Sequence, residues 1–274
     1  MEKILVPVDF SSNSLNALDY ALNLTKTLGS KLYVVHVSKG GVLPNFLKNA
    51  NELPKHNAKK QMQRLKDKVK ADFNEARAEF LIREGTFIKE MNKLIEEIDV
   101  ELIIMGTVVK RKEFKTIFFG SNTIDVIEKV NYPLMIIPDH FRFKPIEKIL
   151  YATDYKFLGK HTLRPLKQIA IKFDAEVLLT SIVKDRDKKK YSKDEYKEQK
   201  REHKMFASVR HDFKRIYRSD IVKGINYYID KKKDIDLITL IPRKHTVFEY
   251  FFKKSTTKTM ALYPRLPILV LHDT

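Results

Sequence analysis

KILVPVDF, residues 3–10, recurs 145 positions later as KILYATDY, residues 148–155. Each run is apolar up to an Asp, which is Asp9 in the first copy and Asp154 in the second, and an aromatic residue follows it. The same offset places residues 30–37 on residues 175–182. A register kept over this length indicates that one folded unit is used twice in the chain.

The repeat continues toward the end of each copy. ELIIM at 101–105 corresponds to DLITL at 236–240, but at a smaller offset, so the second copy is shorter in its middle. The sequence therefore predicts two domains, residues 1–143 and 145–274, and the joint lies near Pro145.

Strand-length apolar runs alternate with helical patterns in both copies. Ser11 or Ser12 is a suitable N-cap for the first helix. Because the apolar strands carry no alternating polar face, they are expected to be covered on both sides. The predicted fold class is α/β, with two doubly wound, Rossmann-like parallel-sheet domains in tandem. In the first copy we predict strands at 4–8, 32–37, 78–82, 102–105 and 134–137, and helices at 14–28, 57–75, 87–98 and 122–129.

Composition restricts the function further. The 274 residues include no Cys, which excludes disulfides, thiolate zinc sites and Cys nucleophiles and favours a reducing, cytoplasmic location. The sequence passes from MEK directly into a strand and has no apolar run of membrane-spanning length, so neither a signal peptide nor a membrane is expected. The net charge of +18 is concentrated after residue 144. Such a field attracts polyanions weakly, and specific nucleic-acid binding is not expected.

One segment of the second copy, residues 184–204, is almost entirely charged and contains Tyr191 and Tyr196. It has two interpretations: a basic, aromatic strip for nucleic acid, or a solvated helix or loop. The acidic residues that interrupt the positive charge favour the solvated element.

The strand ends of the first copy are the candidate binding site. In an open parallel sheet, ligands bind beyond the carboxyl ends of the strands, where the strand order reverses. Asp9 ends the first strand and is able to accept hydrogen bonds from a ribose or a base. Gly106 and the Gly120-Ser121 pair before a helix are able to present backbone amides to a phosphate, although a simple helix cap has the same pattern.

Five motifs together resemble the universal stress protein family (UspA-like), in the tandem arrangement with two domains in one chain. They are ILVPVDFS at 4–11, HV at 36–37, MGT at 105–107, GSNT at 120–123 and PLMIIP at 133–138. The resemblance covers nearly the whole chain. It implies that the last strands, 134–137 and 268–271, pair across a pseudo-twofold.

The resemblance also implies a nucleotide site. Members of the family that bind ATP place the strand-end Asp and the His-Val pair near adenosine, and their glycines and hydroxyls hold the phosphates. Carried over to this sequence, the implied cofactor-binding residues are Pro7, Val8, Asp9, Val37, Met105, Gly106, Gly120, Ser121, Asn122 and Thr123.

The phosphate loop departs from the family's pattern in the first copy. ATP-binding members have glycine, two residues, glycine, nine residues, glycine and then Ser or Thr. Here Val109 replaces the second glycine, and ten residues separate it from Gly120. A β-branched residue disfavours positive φ and brings a side chain where the backbone should meet phosphate. The intervening Lys110-Arg111-Lys112 either holds an anion in another way or is a solvated loop.

The second copy departs further. Ile241-Pro242 and Lys254-Ser255 replace the glycine motifs, and Pro242 also removes a backbone donor. This copy is therefore not expected to bind a nucleotide in the family's manner. Basic residues around the former phosphate site either hold an acidic partner or small anion or form a solvated rim; they are Arg243, Lys244, His245, Lys253 and Lys254.

Catalytic patterns are missing from the sequence. The eight histidines show no His-Glu-x-x-His spacing, and neither a Gly-x-Ser-x-Gly elbow nor a glycine-rich Lys-Ser/Thr phosphate loop occurs. We therefore expect no enzyme, no catalytic or metal residues and no cofactor. The leading hypothesis is a stress-response regulatory protein that acts through protein partners or self-association. The alternative is an ATP-binding switch in the first domain, with slow hydrolysis.

Overall fold

The structure is a computed structural model. It describes residues 1–38, 48–107, 123, 125, 126, 129–153, 161–183, 193–218, 221–241 and 266–272. These residues form two compact units, one containing 1–107 and 123–143 and the other 144–272.

The first unit has one parallel sheet flanked by helices. The described strands follow the order β3-β2-β1-β4-β5, and each neighbouring pair is parallel. Positions 123, 125, 126 and 129 are helical, within the helix predicted at 122–129. The elements are β1 (Lys3–Pro7), α1 (Ser12–Leu28), β2 (Lys31–Ser38), α2 (Lys48–Asp72), β3 (Ala78–Glu84), α3 (Phe87–Ile98), β4 (Leu102–Thr107) and β5 (Leu134–Pro138).

The central strands of this sheet are buried on both faces. Ile4, Leu5 and Val6 of β1 are fully buried, although neighbouring side chains on a strand point to opposite faces. Such continuous burial is typical of a parallel sheet covered by helices on each side. The α/β prediction is confirmed.

Helix α1 connects the first two strands, and local signals define both of its ends. Ser11 is the N-cap, and its hydroxyl accepts from the backbone N–H of Ser14. Gly29 ends the helix in the left-handed conformation, with φ of 71°, which glycine adopts at little cost. Of the two predicted caps, the structure therefore selects Ser11.

The second unit repeats this plan. Its strands follow the order β8-β7-β6-β9-β10, in which each strand is equivalent to the strand at the same place in the first unit's order, β3-β2-β1-β4-β5. None of the described helices in either unit has the length and apolar character that a membrane span requires. The elements are β6 (Lys148–Thr153), α4 (Arg164–Phe173), β7 (Glu176–Val183), α5 (Lys193–Met205), β8 (His211–Tyr217), α6 (Ile221–Lys232), β9 (Leu237–Leu240) and β10 (Ile268–Val270).

Both units anchor the start of their central strand with a carboxylate. In the first, Glu101 accepts from the backbone N–H of Glu2. In the second, buried Asp236 accepts from the backbone N–H groups of Glu147 at 2.8 Å and Lys148 at 2.9 Å. Glu2 and Glu147 are equivalent positions of the repeat. The duplication has thus kept a hydrogen bond whose partners are far apart in sequence.

Part of the charged segment at residues 184–204 is buried, whereas the sequence favoured a solvated helix or loop. Residues 184–192 lie outside the described part of the chain, and α5 begins at Lys193. At the end of α5, Glu202 is buried, and Phe206 just beyond it is fully buried. This end of the segment therefore belongs to the core of the second unit.

Candidate functional site

The strand order of the first unit reverses between β1 and β4. From β1 the chain proceeds to β2 and β3 on one side of the sheet and then returns to β4 and β5 on the other. Ligands of open α/β sheets bind in the crevice at this point, beyond the carboxyl ends of the strands. Asp9 follows β1 and Gly106 lies near the end of β4, so both predicted residues flank the switch point.

The structure places most of the predicted nucleotide residues at this edge. Pro7 ends β1, and the backbone N–H of Val8 donates to the carbonyl of Val35 in β2 at 2.7 Å. Val37 lies in β2 and Met105 in β4, and Thr123 is helical and buried. Outside the described residues lie Val109, Gly120, Ser121 and Asn122.

Asp9 is exposed and is hydrogen-bonded to the start of α1. Its Oδ1 accepts from the backbone N–H of Ser11 at 3.0 Å and from the Ser11 hydroxyl. The backbone N–H of Asp9 donates to the Ser14 hydroxyl at 3.3 Å. Partial desolvation raises the pKa of Asp9, but the hydrogen bonds from Ser11 and Ser14 outweigh it and hold this pKa below its ordinary value of 3.8.

This pKa shift predicts an acid-sensitive contribution to stability. A carboxyl group whose pKa is lower in the folded chain stabilises the fold above its unfolded pKa and loses that contribution as the pH falls through its folded pKa. Asp9→Asn is therefore expected to remove a part of the stability loss below about pH 4. Urea unfolding midpoints of wild type and variant, measured between about pH 2 and pH 6, check this.

Ser11→Ala is the matched variant for this titration, because it removes one donor but keeps the carboxylate. Without the Ser11 hydroxyl the folded pKa of Asp9 moves toward its unfolded value, so the acid-induced loss due to Asp9 should be smaller than in wild type. If the urea midpoints of wild type, Asp9→Asn and Ser11→Ala fall by the same amount as the pH is lowered, Asp9 does not contribute to the acid sensitivity.

His36 supports the same strand end. Its Nδ1 lies 2.8 Å from the carbonyl oxygen of Val8 and donates to it. Its ring lies against Phe10, with centroids 4.7 Å apart, and Phe10 has a left-handed φ of 64°. These contacts give His36 a structural role in holding the turn between β1 and α1.

Gly106 packs directly against the first turn of α1. A Cβ atom on Gly106 would lie 2.2 Å from the carbonyl oxygen of Asn13 and 2.6 Å from its carbonyl carbon. No side chain fits at this distance, because the neighbour is backbone. The close packing of β4 on α1 therefore requires a glycine here, whether or not a phosphate binds.

A cleft of about 550 Å³ opens beside Asp9, between the start of α1 and the helix α2. A helix was predicted at 57–75, but none of its residues was included in the predicted site. The i,i+4 spacing of Arg64 and Lys68, which places both cations on one helical face, was the available signal. The lining residues are Asp9, Phe10, Ser11, Leu15, Gln61, Arg64, Leu65 and Lys68.

The equivalent strand end of the second unit holds a buried carboxylate. Thr153 occupies the position of Val8, and its hydroxyl donates to Glu202 Oε1 at 2.5 Å. Both side chains are buried. Asp154 and the basic residues predicted around the former phosphate site lie outside the described part of the chain.

A comparison with protein families decides the classification. The family described as the universal stress protein family matches residues 1–138, which is half of the chain. The chain belongs to the universal stress protein family. The match covers the first unit, and the internal repeat extends the same architecture to the second.

Individual relatives agree with this assignment. The universal stress protein MJ0531 of Methanocaldococcus jannaschii is 28% identical over 141 residues, which are 50% of this chain and 81% of that protein. A crystal structure of a universal stress protein from Archaeoglobus fulgidus matches with a TM-score of 0.76 at 20% identity, covering 99% of this chain and 98% of that one. A functionally unknown protein from Pseudomonas aeruginosa PAO1 matches with a TM-score of 0.55 at 13% identity, over 100% of this chain and 93% of that one. The two structural likenesses show a shared fold.

Proposed function

We propose that this universal stress family member is a non-catalytic regulatory protein that acts through protein partners or self-association and does not depend on bound ATP. The family assignment supports a stress-response role. The observation that carries the nucleotide part of the proposal is the packing of Gly106 on Asn13. In the first unit, the packing of β4 on α1 requires the glycine of the nucleotide motif.

Asp9 supports the same conclusion. Its Oδ1 already accepts two hydrogen bonds from Ser11, and this arrangement starts α1. A ribose hydroxyl that used this oxygen would compete with a backbone donor of the helix start. Asp9 therefore has a structural role that needs no nucleotide.

The second unit supports the proposal independently. Ile241 stands where the first unit has Gly106. Its β-branched side chain fills the space that a glycine leaves open. We infer that the second domain is a scaffold and an interaction surface.

An ATP-binding switch in the first domain, with slow hydrolysis, is the second candidate. One observation favours it: the cleft beside Asp9 has the volume of an ordinary ligand pocket, and Arg64 and Lys68 line it. Two cations on one helical face attract a polyphosphate. The two candidates therefore differ in whether this cleft holds an adenine nucleotide.

Mass spectrometry of the denatured, purified protein separates the two candidates. The proposal predicts that adenine nucleotide is released at far less than one molecule per chain. A nearly stoichiometric release from wild type, lost in an Arg64→Ala/Lys68→Ala double variant, would establish the switch instead. Lys59→Ala/Lys60→Ala is the matched control, because it removes two exposed lysines from the same helix outside the cleft lining.

A further inference from the structure

Two histidines of the second unit face one another across a short gap. His203 lies in the last turn of α5, and His211 is the first residue of β8. Nδ1 of His203 is 2.7 Å from Nε2 of His211. His203 is exposed and His211 is half-buried, so the pair is accessible from solvent.

The hydrogen bond of Nδ1 fixes the tautomer of the neutral His211 ring. Nδ1 of His211 lies 2.8 Å from the carbonyl oxygen of Val209, which is able only to accept, so Nδ1 carries a proton. In the neutral ring, Nε2 then holds a lone pair that faces His203. The His211 ring is also packed near Phe206 and Phe213, with centroids 6.1 Å and 5.8 Å away.

An imidazole held in this way is typical of metal ligands. Metal-binding histidines commonly donate the N–H of the other ring nitrogen to a carboxylate or a backbone carbonyl, which fixes the tautomer and the ring orientation. His211 has this anchor, and His203 supplies a second nitrogen on the same side. The carbonyl anchor and the facing nitrogens are independent observations that both indicate a ligand.

We propose that His203 Nδ1 and His211 Nε2 form a binding site for a divalent transition metal. The two facing nitrogens lie 2.7 Å apart along the line of a hydrogen bond, whereas two ligands at about 2.0–2.1 Å approach one metal from different directions. The exposed His203 ring must therefore swing off that line for both lone pairs to converge on the metal. Without metal, the neutral pair shares the proton of His203 Nδ1. Binding moves that proton to Nε2 of His203, and both facing lone pairs then bind the metal with no net release of protons.

The ligand set indicates the metal and the strength of binding. Imidazole suits Cu²⁺, Ni²⁺ and Zn²⁺, and Cu²⁺ binds most tightly in this series. Within the described residues, no group of three His, Asp or Glu side chains is arranged to hold a metal. Water therefore completes the coordination, and the site is exchangeable. The bound metal would join α5 to β8 and so stabilise the second unit.

Electron paramagnetic resonance of the untagged full chain with one equivalent of Cu²⁺ tests the site. We expect superhyperfine splitting from two nitrogens in wild type and from fewer in His203→Ala. Titration calorimetry with Ni²⁺ should show at least about a tenfold loss of affinity in His203→Ala, since even the loss of a supporting hydrogen bond typically costs that much.

His140→Ala is the control, because it removes an exposed histidine of the first unit and should bind metal as wild type does. His203 is exposed, so its replacement should leave the circular dichroism spectrum unchanged, which separates loss of a ligand from loss of the fold. The proposal is overturned if folded His203→Ala binds Ni²⁺ as tightly as wild type, or if the Cu²⁺ spectrum is the same in both.

Discussion

Replacing Gly106 with alanine is expected to destabilise the first unit by about 3 kcal/mol or more, at the upper end of the cost of overpacking. The added Cβ would lie 2.2 Å from the backbone oxygen of Asn13, and backbone is unable to yield as a side chain does. Either β4 or the first turn of α1 must move. Urea unfolding followed by hydrogen exchange of peptides from residues 1–38 and 102–107 measures the loss and shows where it occurs.

Gly224→Ala is the control for Gly106→Ala. Its Cβ would lie 2.8 Å from Cγ2 of Ile182, which is a side-chain atom. The gain in helix propensity on replacing a helical glycine offsets part of the strain, so the net loss of stability should be smaller than that of Gly106→Ala. Equal and small effects of both substitutions would contradict the assignment of Gly106 to packing.

Replacing Asp236 with alanine is expected to destabilise the second unit by about 3 kcal/mol. The buried carboxylate accepts from the backbone N–H groups of Glu147 and Lys148 and pairs with Lys144 Nζ at 2.5 Å. Hydrogen bonds to a charged group contribute about 1.5–3 kcal/mol each, and their loss leaves two backbone donors unsatisfied. Thermal and urea unfolding of the variant measure this change.

Asp234→Ala provides the comparison, because it removes a carboxylate two residues away that pairs with Lys148 at the surface. An exposed pair of this kind contributes at most about 1 kcal/mol. The anchoring role of Asp236 is refuted if both variants lose the same small amount of stability.

Much of the architecture could be predicted because its signals are local. The repeated strand and the cap at Ser11 predicted β1 and α1 to within two residues at either end. The apolar periodicity of residues 87–98 predicted α3 with the bounds that the structure has. Where one face of a helix is apolar and its ends are capped, the sequence pattern and the packing agree.

Other features depend on contacts that no local pattern contains. Helix α2 begins at residue 48. The sequence predicted a start near 57, because the first turns of the helix carry no apolar periodicity. Glu202 is buried because it meets Thr153, which lies 49 positions away. The cleft beside Asp9 exists because α2 lies beside the start of α1. For Glu202 and the cleft, tertiary contacts decided the outcome.

Two positions of the predicted nucleotide site also have a structural use. Gly106 and Asp9 were predicted as nucleotide residues from their resemblance to the family. The structure gives each a contact that stabilises the fold, on Asn13 and Ser11 respectively. A residue that packing requires is present whether or not a ligand binds, so its presence does not establish binding.

Thermal unfolding of the full chain with increasing ATP and Mg²⁺ tests the central claim most directly. A ligand at one hundred times its Kd stabilises the folded state by about 2.7 kcal/mol, which shifts the midpoint by several degrees. We predict no shift in wild type up to about 10 mM ATP, beyond the shift that inorganic triphosphate produces by charge alone. A saturable shift that is specific for ATP and is lost in Arg64→Ala/Lys68→Ala would contradict the account.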